Sequence, residues 1–154
     1  MEKTNVMRIL DKEKIEYIPH SFDGNLTDGV SVAEAIGEDP ARVFKTLVTQ
    51  ANTKEYFVFV IPVAESLDLK KAAKAVGVKS IAMIKQKELL PLTGYIHGGC
   101  SPIGMKKRFR TTIHETAAGF EKFIFSAGKI GYQVEMNAQT LCELIGAQLA
   151  DIII

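Results

Sequence analysis

The sequence predicts an α+β domain, and three observations carry that reading. Amphipathic segments bounded by capping residues alternate irregularly with short runs rich in β-branched and aromatic residues. One of those runs, Tyr56 to Val63, is apolar on both faces and belongs in the middle of a sheet. Finally, 154 residues with 47% apolar and 24% charged content fit one domain, residues 1–154, with a core that needs no staples.

Taken in order, Thr4 caps a helix whose Val6, Ile9 and Leu10 share a face, and Ile15 to Ile18 reads as a strand stopped by Pro19. Asp23 to Gly29 is polar and Gly-containing, hence a loop. Ser31 and Glu34 have capping-box spacing, so a helix runs from there to about Ile36 and ends at Gly37. Asp39-Pro40 opens a short helical turn. Val43 to Thr49 and Tyr56 to Val63 read as paired strands across the Ala51–Lys54 turn. Ser66 to Val76 is an amphipathic helix closed by Gly77; Ser80 to Ile84 is a strand; Lys85 to Leu90 is a short helix stopped by Pro91. Gly94 to Gly104 holds four glycines and a proline in eleven residues, which favours a tightly turned, irregular backbone. Strands follow at Thr111–His114, Lys122–Ser126 and Tyr132–Met136, the last two joined by a turn at Ala127–Lys129. Asn137 caps a final helix to Ile145, ended by Gly146.

Net charge is +1, so any nucleic-acid contact must come from a local patch. Cys100 and Cys142 show neither CxxC pairing nor a disulfide framework, which suits a reduced compartment. The N-terminus has no signal-peptide pattern, and no apolar run approaches the roughly 20 residues of a membrane helix, so a cytoplasmic protein is expected.

Few residues could carry chemistry. His97 and Cys100 have H-x-x-C spacing, but no second ligand pair lies nearby in sequence, and no metal site is expected. The same two residues could form a nucleophilic pair, against the plainer reading of Cys100 as a small side chain in a crowded loop. Lys45 is the lone charge in the strand-like run Val43–Val48. Pattern alone leaves it either a solvated edge lysine or a cation in a cleft. Gly98, Gly99 and Gly104 would let backbone N–H groups approach a ligand. Directly after that loop, Lys106, Lys107, Arg108 and Arg110 set four cations in the six residues 105–110. They read as a solvated face or a phosphate-backbone contact.

Four motifs occur in order: Phe44-Lys45-Thr46-Leu47; Pro62-Val63 ahead of Leu67-Asp68-Leu69-Lys70-Lys71; Gly94-Tyr95 with Gly98-Gly99-Cys100-Ser101-Pro102-Ile103-Gly104; and Ser126-Ala127-Gly128-Lys129. Together they resemble the YbaK family of aminoacyl-tRNA deacylases, whose relatives include the alanine-editing domain of bacterial prolyl-tRNA synthetases. The likeness runs from about Lys3 to Ile152. It implies a mixed, barrel-like β-sheet surrounded by helices, with no metal and no cofactor. It further implies a substrate that is the 3′ end and acceptor stem of a charged tRNA, with prolyl-tRNA synthetase as a partner. Lys45 stands where the family has its essential lysine. Phe22, Thr46, Gly98, Gly99, Cys100, Ser101, Gly104 and Ser126 match residues of the family's substrate pocket. Phe22 replaces the tyrosine of the cysteine-specific branch, no aromatic precedes Gly29, and Gln133 stands where an acidic residue can occur. The activity implied is removal of cysteine mischarged onto tRNA(Pro), and onto tRNA(Cys), through attack by the substrate's own thiol. The alternatives are an Ala-tRNA(Pro) deacylase using water on the same fold and a non-catalytic RNA- or ligand-binding module.

Overall fold

The structure is a computed structural model that describes residues 2–154. Two sheets and five helices form it. Five strands lie in one sheet: β2 (Phe44–Ala51), β3 (Tyr56–Pro62), β4 (Ile81–Met83), β5 (Arg110–His114) and β8 (Gln148–Ala150), in the spatial order β4-β2-β3-β5-β8. The pairs β2–β3 and β2–β4 are antiparallel, whereas β3–β5 and β5–β8 are parallel. A second, antiparallel sheet has the order β1-β7-β6, from β1 (Ile18–Ser21), β6 (Phe123–Ser126) and β7 (Tyr132–Met136). A parallel bridge between Val43 and Ile124 joins the sheets.

The main core fills the space between the sheets. Phe44, Val48, Val58 and Val60 meet Phe123, Phe125, Val134 and Met136 there. Phe44 and Phe123 stack edge to face, with ring centroids 5.0 Å apart. Helix α1 (Asn5–Lys12) closes this core with Val6, Met7 and Leu10, and α5 (Ala138–Ile145) with Leu141. On the other face of β3, Phe57, Phe59 and Ile61 pack on Ala72, Ala73 and Val76 of α3 (Leu69–Val76). Being buried on both faces, β3 is central, as its continuous apolar run predicts. A smaller cluster seats α2 (Gly29–Ala35) through Ala33 on Val43, Val63 and Ile124.

Several boundaries differ from the sequence reading. β1 begins at Ile18 and carries Pro19 inside it, which an edge strand tolerates. The cap of α2 is Asp28, whose carboxylate accepts the Ser31 N–H, so the helix starts before the Ser31–Glu34 spacing suggests. Helix α3 begins at Leu69 with Asp68 as its cap, three residues after the Ser66 start that the sequence suggests. Helix α4 (Gln86–Thr93) runs through Pro91 and ends at Gly94, three residues beyond the stop that Pro91 predicts. Residues 40–42 form a turn and not a helix. The strand β8 and a 3₁₀ turn at Glu115–Gly119 have no counterpart in the sequence reading.

The C-terminal segment is pinned by a buried histidine. His114 Nδ1 accepts the Ile152 N–H at 3.3 Å, which requires the neutral ring. Burial lowers the His114 pKa, and Lys71 adds to this, while Asp151, Glu115 and Glu65 oppose it. The unfolded chain takes up a proton near pH 6.5, the ordinary histidine value, before the native state does. Stability contributed by the neutral ring is therefore full above about pH 6.5 and is lost as pH falls from there through the lowered native value. Urea midpoints measured across that window should fall with pH, and His114→Gln should flatten the slope. An equally steep slope in the variant would assign the effect to another group.

Candidate active site

A cavity of about 130 Å³ opens where β2 leaves the cover of its outer neighbour. Strand β4 pairs only with Thr49–Ala51, so the stretch around Lys45 to Leu47 has β3 on one side and no strand on the other. Lys45, Thr46 and Phe44 line the cavity from β2, Ser126 from β6 and Gln133 from β7. His97, Gly98 and Cys100 line it from the Gly-rich loop, and Thr27 and Gly29 from the entry to α2.

Both sequence readings of Lys45 meet here: it sits on the free edge of β2, and its half-buried side chain lines a cleft. No carboxylate pairs with its ammonium among the described residues. The Asp28 carboxyl is held below its ordinary range chiefly by the Ser31 hydroxyl and backbone N–H groups, with Lys45 a smaller influence. Beside Lys45, the Thr46 hydroxyl is buried and without a hydrogen-bond partner. An orphan hydroxyl of this kind costs about 1–3 kcal/mol, which a ligand could recover.

The loop brings its backbone close. Gly98 has φ 87°, and a Cβ there would stand 2.5 Å from Thr27 Cγ2, so only glycine lets the two walls meet. The Gly99 N–H is taken by Ile96 O at 3.0 Å, while no protein acceptor meets the N–H of Gly98 or Cys100 among the described residues. Tyr95 braces the far end of the loop by donating its hydroxyl to Ile103 O at 2.5 Å.

The sequence-predicted pocket residues therefore divide. Lys45, Thr46, Gly98, Cys100 and Ser126 converge on one cavity. Phe22, Gly99, Ser101 and Gly104 do not line it. Phe22 follows β1, its backbone N–H bonded to Gly131 O. Gly99 packs against the backbone at Lys129–Ile130, and the buried Ser101 hydroxyl accepts the Ile103 N–H. Gly104 lines a second cavity. All four cations are exposed, and of them Arg108 donates to Leu144 O and Arg110 to Val76 O, each at 3.3 Å. These two carbonyls lie in the last turns of α5 and α3 and need such donors. Thr27 and Leu89 also line the cavity and escape sequence reasoning; the Gly98 contact signals Thr27 only once the fold is known.

Cys100 is poorly suited to attack. Burial pushes its thiol up to about 12, with the Thr93 side chain pulling the other way, so almost no thiolate exists at neutral pH. Cys142, buried on α5, is also raised by burial. Cys100→Ala should keep activity within roughly tenfold, with a packing cost of about 1–3 kcal/mol seen in stability. Complete loss in a folded Cys100→Ala protein, with a trapped acyl-enzyme, would instead establish covalent catalysis.

Fold and cavity together define a class. Residues 25–144 match the family model of the aminoacyl-tRNA editing domain, and the chain belongs to that family. It is 44% identical over 153 residues to EbsC of Enterococcus faecalis, provisionally named a Cys-tRNA(Pro)/Cys-tRNA(Cys) deacylase, covering 98% of this chain and 93% of that protein. The crystal structure of hypothetical protein APE2540 superposes with a TM-score of 0.90 at 19% identity, over 98% of this chain and 100% of that one. A structure provisionally described as a trans-editing enzyme for prolyl-tRNA synthetase gives 0.84 at 21% identity, over 100% and 99% of the two chains. At these identities the two structures speak to the fold alone. No helix among the described residues is long and apolar enough to cross a membrane.

Proposed function

We propose that this chain is a cytoplasmic trans-editing deacylase that removes cysteine mischarged onto tRNA(Pro), and onto tRNA(Cys), with residues 1–154 acting as one editing domain. One observation carries the mechanism: the cavity offers an unpaired cation and an orphan hydroxyl but no activated nucleophile. The nucleophile is then the substrate's own thiol, whose ordinary pKa near 8.5 makes it far easier to ionise than a hydroxyl. Its sulfur attacks the ester carbonyl, a C–S bond forms as the ester C–O bond breaks, and the thiol proton passes to the departing 3′ oxygen. Free tRNA and a cyclic thioester result.

Lys45 neutralises the terminal phosphate or polarises the ester carbonyl. The free N–H groups of Gly98 and Cys100 steady the developing oxyanion, each such donor contributing about 3–4 kcal/mol. Thr46, Ser126 and Gln133 supply the polar wall against which the aminoacyl group is held. The barrel-like arrangement is part of this proposal, and the bridge between the two sheets at Val43–Ile124 supports it. Prolyl-tRNA synthetase is the partner that delivers the tRNA, in keeping with a net charge of only +1. Lys106, Lys107 and Arg108, exposed cations of the basic run, meet its phosphates, Arg108 through the guanidinium donors that Leu144 O leaves free.

Deacylation of Cys-tRNA(Pro) and Ala-tRNA(Pro) measured side by side tests this reading. Cysteine should be removed, and a tRNA charged with S-methylcysteine should be left intact. Equal loss of alanine would overturn thiol chemistry and install water as the nucleophile. Binding of charged tRNA without turnover would make the chain a recognition module.

A further inference from the structure

The Gly-rich loop walls two cavities. Gly98 and Cys100 line the first; Pro102, Ile103 and Gly104 line a second, of about 240 Å³. Cys100 and Pro102 are two residues apart, so their Cα atoms lie within about 7 Å. The two cavities therefore have consecutive stretches of one loop as walls.

The second cavity has a distinct chemistry. Phe109, Leu144 and Ile145 give it an apolar floor, and Lys107 and Arg108 are its only charged lining residues. Arg108 is fixed at the wall by its bond to Leu144 O, which uses one of five guanidinium N–H donors and leaves the others for an anion. Lys107 is exposed and makes no ion pair among the described residues. An apolar floor with a cationic rim and no carboxylate complements a planar base carrying a phosphate.

We propose that this cavity receives an unpaired nucleotide of the tRNA 3′ strand, one or two positions before the esterified adenosine. Its base lies on the Phe109 side and its phosphate meets Lys107 and Arg108. Stacking and charge of this kind are tolerant of sequence, so the subsite measures the length of single strand rather than reading its bases. The proposal rests on the deacylase reading for the identity of its ligand.

Calorimetric titration with two unacylated probes, adenosine 5′-monophosphate and the 5′-phosphorylated trinucleotide CCA, tests it. The trinucleotide should bind the wild type at least tenfold more tightly. Lys107→Ala, an exposed change that spares the fold, should cut trinucleotide affinity at least fivefold and leave the mononucleotide unchanged. Leu144→Trp, filling the cavity, should do the same. Equal affinity of the two probes, or equal weakening of both by Lys107→Ala, would overturn the subsite. Should the trinucleotide preference hold while no charged tRNA is deacylated, the subsite stands and the catalytic reading falls. Should deacylation proceed with no such preference, the reverse follows.

Discussion

Lys45→Ala should lower kcat/KM for cysteinyl-tRNA deacylation at least a hundredfold, about 2.7 kcal/mol of lost transition-state stabilisation. The magnitude follows from the proposed role: Lys45 is the one lysine or arginine lining the candidate cavity, and no carboxylate among the described residues neutralises it. Because it has no protein partner, its removal strands no other group, and the thermal midpoint should hardly move. Lys45→Arg should also be poor, since a planar fork does not replace a compact ammonium in a cavity of this size. The measurement is single-turnover deacylation beside circular dichroism of each variant. Near-normal turnover in Lys45→Ala would remove this residue from the mechanism.

Arg42→Ala should destabilise the fold by about 1.5–3 kcal/mol, the cost of taking a charged donor from partly buried carboxylates, one of which keeps His20 as a partner. Arg42 donates to Glu135 Oε2 at 3.1 Å, to Glu38 Oε2 at 2.6 Å and to the Lys122 carbonyl at 2.9 Å. Glu135, whose side chain is 11% exposed, also pairs with His20 Nε2 at 2.7 Å. Burial pushes the Glu135 carboxyl up, but hydrogen bonds and charge from His20 and Arg42 outweigh it, and the net pKa is lowered. Its contribution is thus present above the unfolded carboxylate value, near 4.3, and is lost as pH falls through the lower native value. Urea unfolding at pH 7 reads the loss in Arg42→Ala, and a change below about 1 kcal/mol, the ceiling for an exposed ion pair, would show that the cluster is solvated. The clamp joins the residue three before Lys45 to the residue two after Gln133, so it also sets the spacing of the cavity's two walls.

What is legible in the sequence is what local chemistry decides. Asn137, the apolar spacing to Ile145 and Gly146 delimit α5 as the structure has it, because cap and stop lie on the helix itself. The run Tyr56–Val63 announces its central place through burial on both faces. β8 escapes notice because three residues gain strand geometry only by pairing in parallel with β5. Pro91 misleads because it lies near the end of α4, where losing one backbone donor is cheap. In the site, Lys45 stands out as a single charge in an apolar strand. The division of the Gly-rich loop between two cavities is invisible, since neighbours as close as Gly98 and Gly99 turn toward different partners, Thr27 and Ile130.

The pairing of β1 with β7 has a consequence for synthesis. Ile18 finds its partner in Glu135, and Val43 its bridge in Ile124, so the second sheet cannot close until nearly the whole chain has left the ribosome. The β2–β3 hairpin can form early, from contacts close in sequence, but its apolar face waits for Phe123 and Phe125. Long-range and parallel pairings of this kind fold slowly and leave unpaired edges exposed meanwhile. The nascent chain therefore passes through a stage in which an uncovered hairpin is the species that a holdase chaperone would recognise.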